Sequence, residues 1–450
     1  MGIVRVEQAL STELATLYAD GQFRLCVWDR DRFVALQTAS SDAPGLTELP
    51  ATTVNPGSPS EIPEPPLFPL LTKPQALKAI AQGLLSLTPS WLRPYLSRIL
   101  KYLKSRLVPI LINRAVRGAR KHETIAMVSF PSEDAKEQRN AGTQASIFKP
   151  NDVLISVGLD WGLYSNSFYN LRTNEGVKVV TCCYDLIPIL FPQYCISDVA
   201  HLFPSYLLDL AEGSDLILCI SETTRRDLRN FIGDTGGRMP STHVFSLGDN
   251  VPSGKELISS QITDIAQQPF ILFVSTVERR KNHEVLYHAY HLLCQDGKRD
   301  ILPKLVFVGM TGWGVTDLLK DIEMDPLTQG LIVQLDHVND AELRHLYEQA
   351  LFCVYPSLYE GWGLPVGEAL ALHKIVLSSD RGSLPEVGGD LVRYVDPYNA
   401  RAWADEIGKM IVDSDLRIQM QAKILNNYVV RTWSDAALSV SKAIALIADI

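Results

Sequence analysis

Two glutamates with seven residues between them, Glu360 and Glu368, flank a turn that holds Gly361, Gly363, Pro365 and Gly367. Residues 351–355, just before the turn, read as a short apolar strand, and residues 366–373 read as a helix. In an open α/β sheet such a turn lies at the carboxyl ends of the strands, where ligands bind, and the helix start offers N–H groups to phosphate. Gly361, Gly363 and the Leu364 amide can approach a pyrophosphate with no side chain in the way. Glu368 then falls in the first helical turn, placed to accept hydrogen bonds from ribose hydroxyls, while Glu360 at the strand end reaches a sugar hydroxyl. The plain alternative for an isolated pair of carboxylates is a pair of solvated acids favoured by the helix dipole. Proline and three glycines in the same turn weigh against it.

This stretch resembles the retaining glycosyltransferases of the GT-B type, in the large family 4, or group 1, class that includes bacterial mannosyl-, glucosyl- and rhamnosyltransferases. The resemblance covers most of the chain. A second segment agrees: the apolar strand at 270–276 runs into Val277-Glu278-Arg279-Arg280-Lys281-Asn282, where the family usually reads G-T-x-E-P-R-K-N. Fixed cations at a strand end suit a departing diphosphate, because an arginine fork and a lysine point charge neutralise it without a metal. Lys281 and Arg280 are therefore assigned to the leaving group, with a basic surface turn as the alternative. Arg279 stands in place of the family's proline.

On the amino-terminal side, residues 177–183 form a strand that ends in Tyr184-Asp185-Leu186-Ile187-Pro188. The family commonly has His-Asp there, so Tyr184 is a departure. Asp185 at the strand end is a candidate for orienting the acceptor or a sugar hydroxyl, although aspartate also forms turns. Asp160, in the turn after the strand at 153–157, and Tyr184 are placed on the acceptor side. Ser221 reads as a helix cap, and Glu386 in the turn 381–389 fits a cap as well as it fits chemistry. Proteins similar to this one often carry T-G-I-x-R-V-E where this chain begins, which puts Gly2 in a loop facing the cleft and implies residues upstream of Met1 that supply a first strand.

The elements that must position these groups alternate between apolar strands and helices, which implies doubly wound parallel sheets. A chain of 450 residues with 46% apolar content is large enough for two cores. The expected fold is α/β, GT-B, with two Rossmann-like domains facing across a cleft. The amino-terminal domain spans 1–250, with a mobile loop at 39–66 and a basic helical insertion at about 67–122. A linker follows at 251–268, then a nucleotide-sugar domain at 269–433 and a helix at 434–450 that crosses back to the first lobe.

A net charge of −9 argues against wholesale nucleic-acid binding, and seven cysteines without metal-ligand spacing read as reduced thiols. No signal peptide and no run long enough to span a bilayer is present, so the expected location is cytoplasmic. Between Pro65 and His122 there are eleven Lys and Arg and no Asp or Glu. Residues 91–121 within it are a candidate contact with an anionic membrane, or a hairpin packed on the first lobe. The resemblance implies a nucleotide-sugar donor, GDP-mannose by analogy, and a saccharide or lipid-linked saccharide acceptor. It further implies front-face attack with no protein nucleophile, no metal and no cofactor. A catalytically impaired nucleotide-sugar-binding scaffold and a GT-B-like epimerase are the rival readings.

Overall fold

The computed structural model describes residues 2–18, 23, 26–29, 32–35, 147–158, 167–252, 254 and 256–448. The loop expected at 39–66, the basic segment at 67–122 with its membrane contact, and Asp160 lie outside the described residues.

Helix α1 spans Gly2–Leu17, and a hairpin of β1 (Cys26–Asp29) and β2 (Arg32–Ala35) follows. Gly2 is thus the first residue of a helix and not part of a loop. Val6, Leu10 and Leu14, one turn apart and buried, set the apolar stripe of this helix from its second turn onward. The first lobe continues with β3 (Val153–Ser156), α2 (Ser167–Asn174), β4 (Lys178–Cys183), α3 (Ile187–Leu190), α4 (Ser197–Gly213), β5 (Leu216–Cys219), α5 (Glu222–Thr235) and β6 (Ser241–Val244). Its parallel sheet has the order β3-β4-β5-β6 among the described residues. Strand β5 is buried along its whole length, as expected for a sheet covered on both faces. Ser221 caps α5 by accepting from the Thr224 amide at 2.9 Å, and Gly236 ends the helix with a left-handed φ of 69°.

The second lobe begins with α6 (Ser260–Ala266), inside the stretch read as a linker. That stretch is polar on average, yet Ile262 and Ile265 are three residues apart and both buried, which is enough for one amphipathic turn. The Ser259 amide, at the start of this helix, donates to Glu342 at 3.0 Å. Then come β7 (Phe270–Val274), α7 (His283–Gln295), β8 (Lys304–Val308), α8 (Thr316–Met324), β9 (Ile332–Leu335), α9 (Asp340–Gln349), β10 (Phe352–Tyr355), α10 (Leu364–Ala371), β11 (Val376–Ser378), α11 (Leu384–Gly388), β12 (Arg393–Tyr394), α12 (Ala400–Val412), α13 (Ser414–Asn427) and α14 (Trp433–Ala448).

The sheet of this lobe is parallel throughout, in the order β12-β11-β10-β7-β8-β9. The chain therefore starts in the middle with β7, winds outward to one edge, and returns to β10 on the other side. Between β7 and β10 the winding reverses, and the loops leaving their carboxyl ends diverge to open a crevice. Helix α14 packs on α1, with the Tyr18 hydroxyl 3.1 Å from Ser441 Oγ and Ser434 Oγ donating to Glu13 at 2.7 Å.

Candidate active site

The crevice between β7 and β10 is where the proposed cations and one of the paired glutamates meet. Arg280 and Lys281 sit on a short 3₁₀ turn after β7, and Glu360 lies in the loop between β10 and α10. Lys281 Nζ lies 2.6 Å from Glu360 Oε1, and Arg280 Nη1 lies 2.8 Å from Glu360 Oε2. Lys281 also donates to the Tyr355 hydroxyl at 3.0 Å, and Arg280 donates to the Tyr359 carbonyl and to Glu278, both at 2.8 Å. Glu360 is only 6% exposed. Its burial works against ionisation, but Arg280 and Lys281 outweigh it and hold the carboxyl down at about 2. Burial in turn lowers the Lys281 pKa against the pull of Glu360. The basic turn is therefore a buried charge cluster and not a solvated surface, with only Arg279 exposed.

A second turn fixes the backbone of the first. Ser383 donates through its amide to the Glu360 carbonyl at 3.1 Å and through its hydroxyl to the Trp362 carbonyl at 2.8 Å. Gly382, with φ of +62°, passes so close that a Cβ there would lie 2.4 Å from the Glu360 carbonyl oxygen.

From the first lobe, Asp185 and Tyr184 arrive at the end of β4. A Cβ on Gly361 would lie 2.3 Å from the Tyr184 carbonyl oxygen and 2.9 Å from Asp185 Cβ. The space that the absent side chain leaves at Gly361 is thus filled by the Tyr184 backbone, where the sequence suggested room for a pyrophosphate. Asp185 accepts from the Ile187 amide at 2.9 Å. Burial raises its pKa, the neighbouring Arg280 and Lys281 oppose the rise, and the Glu360 charge adds to it. Tyr184 turns its hydroxyl into its own lobe, donating to the Val157 carbonyl.

The strand before the glycine turn is present as β10, but α10 starts at Leu364, two residues earlier than the apolar pattern indicated. Gly363 precedes it with φ of +111°, and Pro365 occupies the first turn, where its missing N–H costs nothing. Glu368 consequently lies one full turn inside the helix and not in the first turn. It is 4% exposed, accepts from Arg5 Nη1 at 2.7 Å and accepts from the Tyr347 hydroxyl at 3.0 Å. Burial raises its pKa against the influence of Arg5 and Tyr347.

Sequence reasoning missed Arg5, which comes from α1 and is the sole cation in the first ten residues. It also missed Glu386 as an inter-lobe contact. The Glu386 carboxylate accepts from the Glu222 and Thr223 amides at 2.7 and 2.8 Å, capping α5 from the opposite lobe. Together with Gly361 against Tyr184, these contacts close the lobes on each other.

Gly361→Ala tests that closure. The new methyl meets a backbone carbonyl that cannot rotate away, so the expected result is a loss of about 1–3 kcal/mol of stability. Chemical denaturation reads it directly. An unchanged midpoint would mean that the lobes part at this contact without cost.

Residues 255–426 match the family described as glycosyl transferases group 1. The chain is similar to O-antigen chain mannosyltransferase B of Escherichia coli, 29% identical over 290 residues that make up 64% of this chain and 75% of that protein. It is also 27% identical over 236 residues to the serotype-specific mannosyltransferase WbdA of Escherichia coli, a match over 50% of this chain but only 29% of that longer protein. Among solved structures, the Candida albicans trehalose-6-phosphate phosphatase N-terminal domain aligns with a TM-score of 0.52, at 14% identity, over 68% of this chain and 72% of that one. The OtsA apo structure aligns at 0.51, also at 14% identity, over 66% and 73%. At such identities the likeness is one of fold. Taken with the switch-point site, it gives the chain a GT-B fold, and residues 255–426 are the part that matches the glycosyl transferases group 1 family.

Proposed function

We propose that this glycosyltransferase moves mannose from GDP-mannose to a hydroxyl of a saccharide acceptor, with retention of configuration, during assembly of a lipid-linked bacterial polysaccharide. The observation that carries the reading is the Arg280–Glu360–Lys281 cluster at the switch point, with Asp185 facing it from the other lobe. The choice of mannose is supported by the names of the O-antigen relatives. The reaction then belongs on the inner face of the plasma membrane, where the donor is made. Among the described residues no helix is long and apolar enough to cross a membrane.

On this reading the lobes open to admit the donor, because Glu360 and Glu368 are buried while they are closed. The diphosphate replaces part of the Glu360 carboxylate as the partner of Lys281 and Arg280, and Glu360 turns to the sugar hydroxyls. Glu368 exchanges Arg5 for the ribose. As the bond between C1 and the phosphate oxygen breaks, negative charge grows on the leaving group beside two fixed cations, in a site where few waters screen them. The acceptor oxygen bonds to C1 on the same face, and its proton passes to the departing phosphate oxygen. Asp185, with its pKa raised by burial, orients the acceptor hydroxyl. Two cations supply the charge that a divalent ion would otherwise supply.

The test is nucleotide release and thermal shift with GDP-, UDP- and dTDP-sugars, with and without a mannosyl acceptor, followed by NMR of the product's anomeric proton. Acceptor-dependent GDP release with an α-anomeric product is expected. Stabilisation by a donor without release in any combination would favour the impaired-scaffold reading, and a β product would overturn retention.

A further inference from the structure

We propose that Tyr194, Trp313 and Tyr398, arranged around Arg279, form a shelf that binds hexose units of the acceptor chain beyond the unit that reacts. The proposal rests on the reading of the acceptor as a mannose-containing saccharide. Trp313 and Tyr398 come from loops after β8 and β12, at carboxyl ends of strands and so on the side of the switch-point site, and Tyr194 ends the 3₁₀ turn Pro192–Tyr194 that follows α3. Trp313 is 42% exposed and Tyr398 67% exposed, so both rings are open to a ligand. The Trp313 indole N–H donates to the Tyr194 carbonyl at 2.7 Å, so its polar edge is spent on holding the ring. The Tyr398 loop is tied to the cationic turn, since Asn282 Nδ2 donates to the Pro397 carbonyl at 2.8 Å.

The shelf is continuous with the leaving-group site. Tyr359, whose carbonyl holds Arg280, packs on Phe191 with ring centroids 4.8 Å apart, and Phe191 stacks on Tyr194 at 6.0 Å. An aromatic row therefore runs outward from the reacting centre to the exposed rings.

Arg279 makes the shelf more than apolar. It is exposed, has no ion-pair partner among the described residues, and lies along Gly314, where a Cβ would come within 3.0 Å of its Cδ. Gly314 has φ of +70°, so the loop takes a left-handed turn beside the arginine. Arg381 already stands 5.9 Å over the Tyr398 ring, and an exposed guanidinium beside the Trp313–Gly314 loop matches a hexose, whose C–H face stacks on aromatic carbon and whose hydroxyls accept from the fork. A neutral sugar chain leading away from the transferred residue is the ligand that would pass over these groups in order.

The experiment uses the full chain with α-linked manno-oligosaccharides of one to five units. The wild type should show a lower KM for the pentasaccharide than for the monosaccharide. Tyr398→Ala and Trp313→Ala should each raise the pentasaccharide KM by about 3- to 10-fold, leaving the monosaccharide KM and acceptor-free donor hydrolysis unchanged. A variant that slows hydrolysis and all acceptors equally would overturn the shelf in favour of a lobe-sealing role for the rings, as would a wild type indifferent to acceptor length. Calorimetric titration of mannopentaose into wild type and Tyr398→Ala separates the two layers. If the wild type turns over no donor yet binds mannopentaose and the variant binds it 3-fold or more weakly, the transferase reading fails and the shelf stands; equal binding by both proteins overturns the shelf.

Discussion

Lys281→Ala is expected to lower kcat by about 10²–10³-fold, the range found when a preorganised charge or donor is removed from a developing anion. Donor Kd should change much less. The asymmetry follows from the geometry. In the ground state the diphosphate keeps Arg280, which is anchored independently through Tyr359 and Glu278, so most of the binding attraction survives. The charge that appears as the C1–oxygen bond breaks is the part that needs a second cation, and only interactions stronger in the transition state than in the bound donor raise kcat. The fold is expected to tolerate the change because Glu360 retains Arg280 at 2.8 Å. Arginine at 281 should rescue poorly, since a planar fork does not fit where a point charge meets both Tyr355 and Glu360. Nucleotide release at saturating donor, paired with calorimetric donor affinity, makes the measurement. Turnover equal to wild type would remove Lys281 from the leaving-group site, and a matched loss in both quantities would make it a binding residue only.

What the sequence made legible was whatever depends on neighbours along the chain. The apolar runs at 270–274 and 352–355 mark β7 and β10 because parallel strands buried on both faces have no polar alternation to obscure them. The loops after them carry Lys281 and Glu360, so the switch-point rule brings these two residues together without any knowledge of contacts. Local punctuation was less reliable: Pro365 starts α10 early and moves Glu368 from the first turn into the second. Long-range pairing was invisible. Arg5 and Glu368 are 363 residues apart, and nothing in the spelling of either segment names the other. Glu386 does cap a helix, but α5 of the opposite lobe, because a carboxylate's preference for N–H groups specifies the partner's chemistry and not its position. The short helix inside the linker stretch was hidden for a related reason: averaged polarity masked the one-turn stripe of Ile262 and Ile265.

Arg431→Ala is expected to cost about 3–5 kcal/mol of stability, the range for removing one partner of a buried ion pair. The two chain crossings between the lobes meet here, where the Asp249 amide donates to the Arg431 carbonyl at 3.0 Å. Asp249 is 0% exposed and lies against Gly367, one residue from Glu368. Its Oδ2 accepts from Arg431 Nη1 at 3.0 Å and from the Tyr428 hydroxyl at 2.5 Å. Arg431 also donates to the Val387 carbonyl at 3.2 Å and stands 5.4 Å over the Trp362 ring, so one side chain joins the crossing to both turns of the active site. Alanine leaves the carboxylate with no cation. Burial already raises the Asp249 pKa against the opposing Tyr428 and Arg431, and without Arg431 it rises further. A carboxyl whose folded pKa lies above its unfolded value costs stability at any pH above the unfolded pKa, in full above the folded pKa, and the cost fades as pH falls from the folded pKa towards the unfolded one. The deficit of Arg431→Ala should therefore be largest near pH 8 and shrink towards pH 5. Adding Asp249→Asn to Arg431→Ala should recover most of it at pH 8, because an amide needs no counter-charge. Denaturation midpoints of the single and double variants at the two pH values decide the matter. A pH-independent deficit with no recovery in the double variant would mean that Arg431 acts by packing on Trp362 and Tyr428, and that Asp249 is not the charge it supports.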